Sequence, residues 1–151
     1  MTMDFALLSL TLFGLGAPLS SPASPGSDSL TVVIHVAEAS SSMPLTDVQV
    51  IFKAERSRWP DGTRIVLALM KTSTPTGRLT AQKLYGMTPL ELNRFWLGKV
   101  FRGEAQTPRS FNSEEALLKF VASTPGAVGV VRQSVTDSLQ SMLRFSRILT
   151  W

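Results

Sequence analysis

Two kinds of segment alternate along this chain: short apolar runs rich in β-branched residues, and longer stretches in which apolar residues recur every three or four positions. The first kind is typical of buried strands and the second of amphipathic helices. Strands are predicted at 30–36, 65–70 and 127–131, with 139–145 as a candidate fourth. Strands that alternate with helices predict an α/β three-layer sandwich, in which helices cover both faces of a mostly parallel sheet.

The first two predicted helices follow the first two strands. Thr46 or Asp47 can cap the first helix, whose apolar face consists of Leu45, Val48, Ile51 and Phe52. A turn around Pro60 and Gly62 then leads into the second strand. A hydroxyl-rich stretch, KTSTPTG, enters the second helix at about residue 78. Gly86 is expected to end that helix, because glycine readily adopts the left-handed conformation of a helix C-terminus.

Two further helices are predicted before the third strand. Thr88 followed by Pro89 is a typical helix start, and Gly103 is expected to end that helix. Leu90, Leu97 and Phe101 lie near one face of it. The stretch GEAQTPRSFN is then predicted to be a surface loop. Asn112 or Ser113 can cap the last helix, and Pro125 with Gly126 stops it.

The N-terminal region reads as a targeting segment. Its apolar stretch, 5–17, has about 13 residues, whereas a helix needs about 20 to cross a bilayer. That is the length of a signal-peptide core, and the following PLSSPASPGSDS is rich in proline, serine and glycine. We therefore expect a signal peptide and connector at 1–26, an α/β domain at 27–146, a C-terminal tail at 147–151, and a periplasmic or secreted location. The start, MTMD, lacks basic residues, so an incorrectly assigned start or a buried N-terminal helix stays open.

Composition excludes several classes of chemistry. The 151 residues include no cysteine, which rules out disulfides, thiolate nucleophiles and cysteine-ligated metals. The net charge of +4 is scattered along the chain and favours small anions mildly. Arg56 and Arg58 form the only close basic pair, just before Trp59. Because a nucleic-acid-binding protein needs a wider basic surface, we do not expect nucleic acid as a partner.

The residues that are most often catalytic have structural interpretations here. His35, the single histidine, lies inside the first predicted strand and is expected to pack there, since a catalytic set or a zinc site needs further partners. Glu114 and Glu115 are expected to form a solvated first helix turn, pointing in different directions. Trp59 and Trp96 are expected to be packing residues. We therefore predict no enzyme activity, no cofactor and no metal site.

Several ordered pieces of the chain resemble a known family. The pieces are VVIHV with SSSMPLTDVQVIF, RWPDGTRIVLALM, TSTPTGRLTAQKLYG, FNSEEALLKFVASTPGAVGVV and DSLQSMLRF, which together span 30–145. In this order they resemble the phosphate-type periplasmic substrate-binding proteins of ABC transporters. The resemblance implies one lobe of a type II periplasmic binding protein, whose usual form has two lobes. It also implies a non-enzymatic solute-binding function for an ABC-type uptake system, with phosphate or a similar small oxyanion as ligand.

Two hydroxyl-rich loops are the candidate ligand-binding residues. An oxyanion can be held by backbone N–H groups at helix N-termini together with hydroxyl donors. Ser40, Ser41 and Ser42 follow the first strand. The second loop supplies Thr74, Thr76 and Arg78, and lies where the family usually has Gly-Ser-Gly-Thr-Arg. The alternative for both loops is that these residues are solvated or cap helices.

Two other functions stay open. The first is an exported scaffold or interaction protein that keeps the lobe without the ligand and forms a homodimer or binds a membrane transporter. The second is a small hydrolase, for which no nucleophile, base and orienting group can be assembled from these residues.

Overall fold

The computed structural model describes residues 29–35, 43–132 and 146–150. Within them it contains five strands, four α-helices and one π-helical turn. In chain order these are β1 (Leu30–His35), α1 (Leu45–Phe52), β2 (Val66–Met70), α2 (Pro75–Thr80), the π-helical turn (Ala81–Tyr85), α3 (Pro89–Phe101), β3 (Arg109–Phe111), α4 (Glu114–Ser123), β4 (Ala127–Arg132) and β5 (Ser146–Thr150).

The five strands form one sheet in the order β3-β2-β4-β1-β5. β2 is parallel to both β3 and β4, whereas β1 is antiparallel to both of its neighbours, β4 and β5. Four strands therefore point the same way and only β1 is reversed. The prediction of a mostly parallel sheet is confirmed.

Helices cover both faces of this sheet. Along β1, Val32 and Ile34 belong to a core cluster with α1, the π-helical turn and α3. Val33 points to the opposite face and belongs to a second cluster with α4. The alternation follows from the pleat of a strand, in which successive side chains point to opposite faces. The predicted three-layer arrangement is confirmed.

Most predicted helix ends are confirmed. The Thr88 side chain accepts a hydrogen bond from the Glu91 backbone N–H, and the Glu91 carboxylate accepts one in return from the Thr88 N–H. Ser113 caps α4 by accepting from the Ala116 N–H, and Gly86 has a left-handed φ of 64°. The start of α1 is a correction: Pro44 is its N-cap, without a side-chain hydrogen bond, and Thr46 and Asp47 already lie inside the helix.

Two strands lie where the sequence predicted none. β3 lies inside the stretch predicted to be a surface loop, and β5 occupies most of the predicted C-terminal tail. β3 is too short and too polar to give an alternating pattern, and β5 depends on pairing with β1. The candidate strand at 139–145 and the predicted signal peptide and connector at 1–26 lie outside the described residues. No helix in the described ranges is long and apolar enough to cross a membrane.

The face of α3 that packs on the sheet differs from the face named from the sequence. Leu92 and Trp96 are buried in the core. Leu97 and Phe101 are 67% and 90% exposed, and Leu90 is also exposed. Apolar residues occur nearly all around this helix, so periodicity alone did not decide which side is covered.

Two buried aromatic side chains donate hydrogen bonds within the core. The Trp59 indole donates a hydrogen bond to the Gly126 carbonyl at 3.0 Å, which confirms its packing role. The Tyr85 hydroxyl donates to the Phe52 carbonyl at 2.8 Å. Burial raises the pKa of the Tyr85 phenol far above its ordinary value, with a smaller opposing effect from the neighbouring Trp96 indole.

Candidate functional site

The loop after β2 turns sharply back on itself before α2 begins. The Thr74 side chain caps α2 by accepting a hydrogen bond from the Gly77 N–H at 3.0 Å. Its own hydroxyl donates to the Lys71 carbonyl at 2.7 Å. The Thr74 N–H donates to the same carbonyl at 2.8 Å, and the Lys71 N–H donates to the Phe111 carbonyl of β3 at 2.9 Å. The loop is thus fixed at both ends by backbone contacts.

Gly77 allows this loop to lie directly against α2. A Cβ atom at this position would lie 2.5 Å from the Lys71 carbonyl carbon and 2.9 Å from the Met70 oxygen, and closer still to the Lys71 oxygen. Real Cβ atoms do not approach backbone atoms so closely. The shape of the loop therefore requires glycine for space, although its φ is not left-handed.

Thr76 is buried and its hydroxyl donates to the Glu114 carboxylate. That carboxylate also accepts from the Arg132 backbone N–H at 3.3 Å and from the Arg132 guanidinium at 3.4 Å. The Glu114 side chain is only 10% exposed. The sequence interpretation of Glu114 as a solvated first-turn residue is therefore wrong, because the fold brings Thr76 of α2 and Arg132 of β4 beside it. Glu115 is exposed as expected, and pairs with Lys119 at 2.7 Å.

Arg78 also makes an internal contact. Its guanidinium donates to the Ser73 carbonyl at 2.8 Å, while the side chain stays exposed. Of the predicted loop residues, Thr74, Thr76 and Arg78 all form hydrogen bonds that hold the loop itself.

Beside this loop lies a cleft of about 420 Å³, between the loop, α3 and β3. Its polar lining residues are Lys71, Thr72, Ser73, Asn93, Thr107 and Ser110. Thr72 and Asn93 are hydrogen-bonded at 3.3 Å and connect the loop to α3. Leu92 and Trp96 contribute an apolar wall.

Lys71 is the charged residue of this cleft. It is the only ionisable side chain among the residues that line it, and it is exposed. No ion pair or side-chain hydrogen bond of its ammonium group occurs within the described parts of the chain. Sequence reasoning missed Lys71, Asn93 and Ser110 as site residues. The available signal was the position of Lys71 directly after a strand, where the carboxyl ends of parallel strands meet a ligand.

The serine loop after β1 does not begin near this cleft. Ser40, Ser41 and Ser42 lie outside the described residues. Ile34 pairs with Val128 near the start of β4, while Leu30 pairs with Arg132 at its end. β1 therefore ends beside the amino end of β4, whereas Lys71 lies at the carboxyl end of the neighbouring parallel strand β2. The two hydroxyl-rich loops therefore start from opposite ends of the sheet's strands.

His35 packs as the sequence predicted. Its Nδ1 lies 3.0 Å from the Val121 carbonyl of α4. Within the described ranges, no group of three or more histidine, aspartate and glutamate side chains is arranged to hold a metal ion.

The cleft beside Lys71 offers one cation, several hydroxyl and amide donors and an apolar wall. This set can bind a small anion or a polar solute.

Comparison with solved structures confirms the fold. The chain is similar to an ABC-type phosphate transport receptor from Vibrio cholerae, with a TM-score of 0.57 and 16% identity over 80% of this chain and 45% of that one. It is similar also to a "possible phosphate binding protein" from Planctomyces limnophilus, with a TM-score of 0.55, 16% identity, and coverage of 80% of this chain and 40% of that one.

The resemblance to one lobe of a phosphate-type binding protein is thus confirmed as a resemblance of fold. The chain spans less than half the length of either structure. No protein-family model matches the chain, and no curated protein does.

Proposed function

We propose that this chain is a non-enzymatic solute-binding-like protein that holds a small oxyanion, such as phosphate, in the cleft beside Lys71. The observation that carries the proposal is the position of Lys71, which has no ion pair among the described residues, at the carboxyl end of β2 and next to a parallel partner strand. Open α/β sheets bind ligands outside the carboxyl ends of their strands. The two structural neighbours, described as a phosphate receptor and a possible phosphate-binding protein, support the choice of ligand.

The chemistry of the cleft suits such an ion. Lys71 supplies a charge-assisted hydrogen bond, which is stronger than one between neutral groups. The hydroxyls of Ser73 and Ser110 add donors, and the wall formed by Trp96 keeps water away from one side.

In this proposal, the residues that the sequence predicted as ligand-binding in the loop after β2 instead hold that loop in shape. Thr74 and Thr76 hold it in place through the Lys71 carbonyl and Glu114. Arg78 holds the loop through one guanidinium N–H, which donates to the Ser73 carbonyl. A role for Ser40, Ser41 and Ser42 is not needed for binding at Lys71.

We further propose that the protein acts outside the cytoplasm with an ABC-type membrane transporter. The signal-peptide pattern at 5–17 supports export. The description of one neighbour as an ABC-type transport receptor supports the transporter.

Titration calorimetry with sodium phosphate tests the ligand. Lys71→Gln should weaken binding at least tenfold, which corresponds to about 1.4 kcal/mol. Lys119→Gln removes the same charge from α4 on the other face of the sheet, and should bind as the unmodified protein does. Binding that is absent up to millimolar phosphate, or that is weakened equally by both substitutions, would contradict the proposal.

A second function is favoured by the exposed apolar face of α3. Leu97 and Phe101 are largely exposed, and the chain matches only 45% and 40% of the lengths of its structural neighbours. Two copies joined through this face would cover it. Light scattering should then show a dimer that Phe101→Ser converts to a monomer, and a monomeric unmodified protein would exclude this alternative.

A further inference from the structure

A second cleft, of about 590 Å³, lies at the other end of β2 and β3. Three arginines line it, and they come from three separate segments of the chain. Arg56 follows α1, Arg64 precedes β2, and Arg109 is the first residue of β3. All three side chains are exposed. The fold thus brings together basic residues that are far apart in the sequence.

The charge of this cleft is poorly balanced by the protein itself. Glu104 is the only acidic lining residue, and its carboxylate already pairs with Arg102 at 2.5 Å and with Lys99 at 3.9 Å. Arg56 lies 4.0 Å from Asp47, at the limit of an ion pair.

Arg64 and Arg109 have no ion pair and no side-chain hydrogen bond with any residue in the described ranges. Both guanidinium groups line the same cleft, so an anion bound there can contact positive charge from two segments of the chain. Arginine also binds phosphate and carboxylate oxygens in pairs, through its fixed fork of donors.

The remaining lining residues indicate the kind of anion. The volume is in the range of sites for small organic molecules, about 300 to 1,000 Å³. Ile65, Leu67 and Pro108 give the cleft an apolar part, and Gln106 adds an amide. A single inorganic anion would contact few of these groups.

We propose that this second cleft binds a small organic polyphosphate, with Arg64 and Arg109 holding the phosphate groups and the apolar residues contacting the organic part. The site is separate from the Lys71 cleft, although Thr107 and Pro108 line both. The proposal does not depend on phosphate binding at Lys71.

Calorimetry with ADP as the probe tests this site. Arg64→Gln and Arg109→Gln should each weaken ADP binding at least fivefold, and the double variant more strongly. Arg94→Gln is the matched control, because Arg94 is an exposed arginine on α3 that lines neither cleft. Lys71→Gln should leave ADP binding unchanged. Binding should also weaken as sodium chloride is raised, because exposed charges are screened.

The alternative outcomes overturn the proposal. If ADP at millimolar concentration gives no heat of binding, the proposed site is excluded. Equal weakening by Arg94→Gln would indicate a general charge effect, and equal weakening by Lys71→Gln would place ADP in the other cleft. Binding of heparin or DNA without binding of ADP would replace the small ligand by a macromolecular polyanion. Thermal unfolding of each variant checks that it remains folded.

Discussion

Replacing Gly77 by alanine adds one methyl group inside a short helix, at a point where another part of the backbone already lies. The new carbon would lie 2.5 Å from the Lys71 carbonyl carbon and 2.9 Å from the Met70 oxygen. These neighbours are backbone atoms, which cannot rotate away as a side chain can. The loop after β2 or the start of α2 would have to move.

The expected change in the free energy of unfolding is the difference between two effects. Overpacking costs about 1 to 3 kcal/mol, and a backbone obstacle places this case near 3. Alanine is a better helix former than glycine by about 1 kcal/mol, which offsets part of the cost. Gly77→Ala should therefore destabilise the protein by about 2 kcal/mol, or about 4 to 8 °C in Tm for a chain of this size.

Gly98 provides a matched control within α3. A Cβ there would meet only the Arg102 guanidinium, at 3.1 Å. That group is the end of an exposed side chain that pairs with Glu104 at the surface, and a shift of a few tenths of an ångström makes room for the methyl group. Gly98→Ala should accordingly stabilise the protein by about 0.5 to 1 kcal/mol through helix propensity alone.

Urea unfolding of the two variants, followed by circular dichroism, measures both free energies. The two substitutions are chemically identical and both lie in helices. If they change the free energy of unfolding in opposite directions, the difference comes from the close contact between residue 77 and the Lys71 carbonyl. A Gly77→Ala protein as stable as the unmodified one, or a Gly98→Ala protein destabilised by the same amount, would refute the reasoning.

Two other predictions concern the hydrogen bonds of the α1 and α3 termini. Tyr85→Phe removes the buried bond to the Phe52 carbonyl and should cost about 1 kcal/mol in urea unfolding; an unchanged midpoint would show that this bond contributes nothing. Hydrogen bonds from the Thr88 backbone and side chain lower the pKa of Glu91. Its charged form therefore stabilises the fold above the ordinary glutamate pKa of about 4.3, and that contribution is lost as pH falls through the lower folded value. The stability advantage over Glu91→Gln should be present at pH 7 and disappear in strong acid, and a constant difference across that range would contradict it.

Much of the fold could be predicted because its signals are local. The runs that form β1, β2 and β4 are apolar and β-branched, and Thr88, Ser113 and Gly86 fix helix ends through contacts within a few residues. The direction of β1 could not be predicted in this way. Hydrophobic periodicity is the same for a strand in either direction, and only the pairing with β4 fixes it.

For the candidate site, the sequence located one loop but not the residues that line the cleft. The hydroxyl-rich stretch does lie at the carboxyl end of β2, as the sequence indicated. The roles of its side chains depend on distant partners, since Thr76 bonds to Glu114, 38 residues further along. Ser110 enters the cleft only because β3 pairs with β2. Such contacts leave no periodic signal in the sequence.

The reversed first strand has a consequence for how the protein is made. β1 occupies 30–35, yet its two partners are at 127–132 and 146–150. At a synthesis rate of about 5 to 20 residues per second, roughly 5 to 20 s separate the end of β1 from the start of its first partner. During that time LTVVIH, a short uncharged segment of high β-propensity, has no strand to pair with. Closing the sheet also requires contacts of long sequence separation, which form slowly. Among the described strands, the first to be synthesised is therefore the last to be enclosed, and closure of this sheet waits for the synthesis of 146–150.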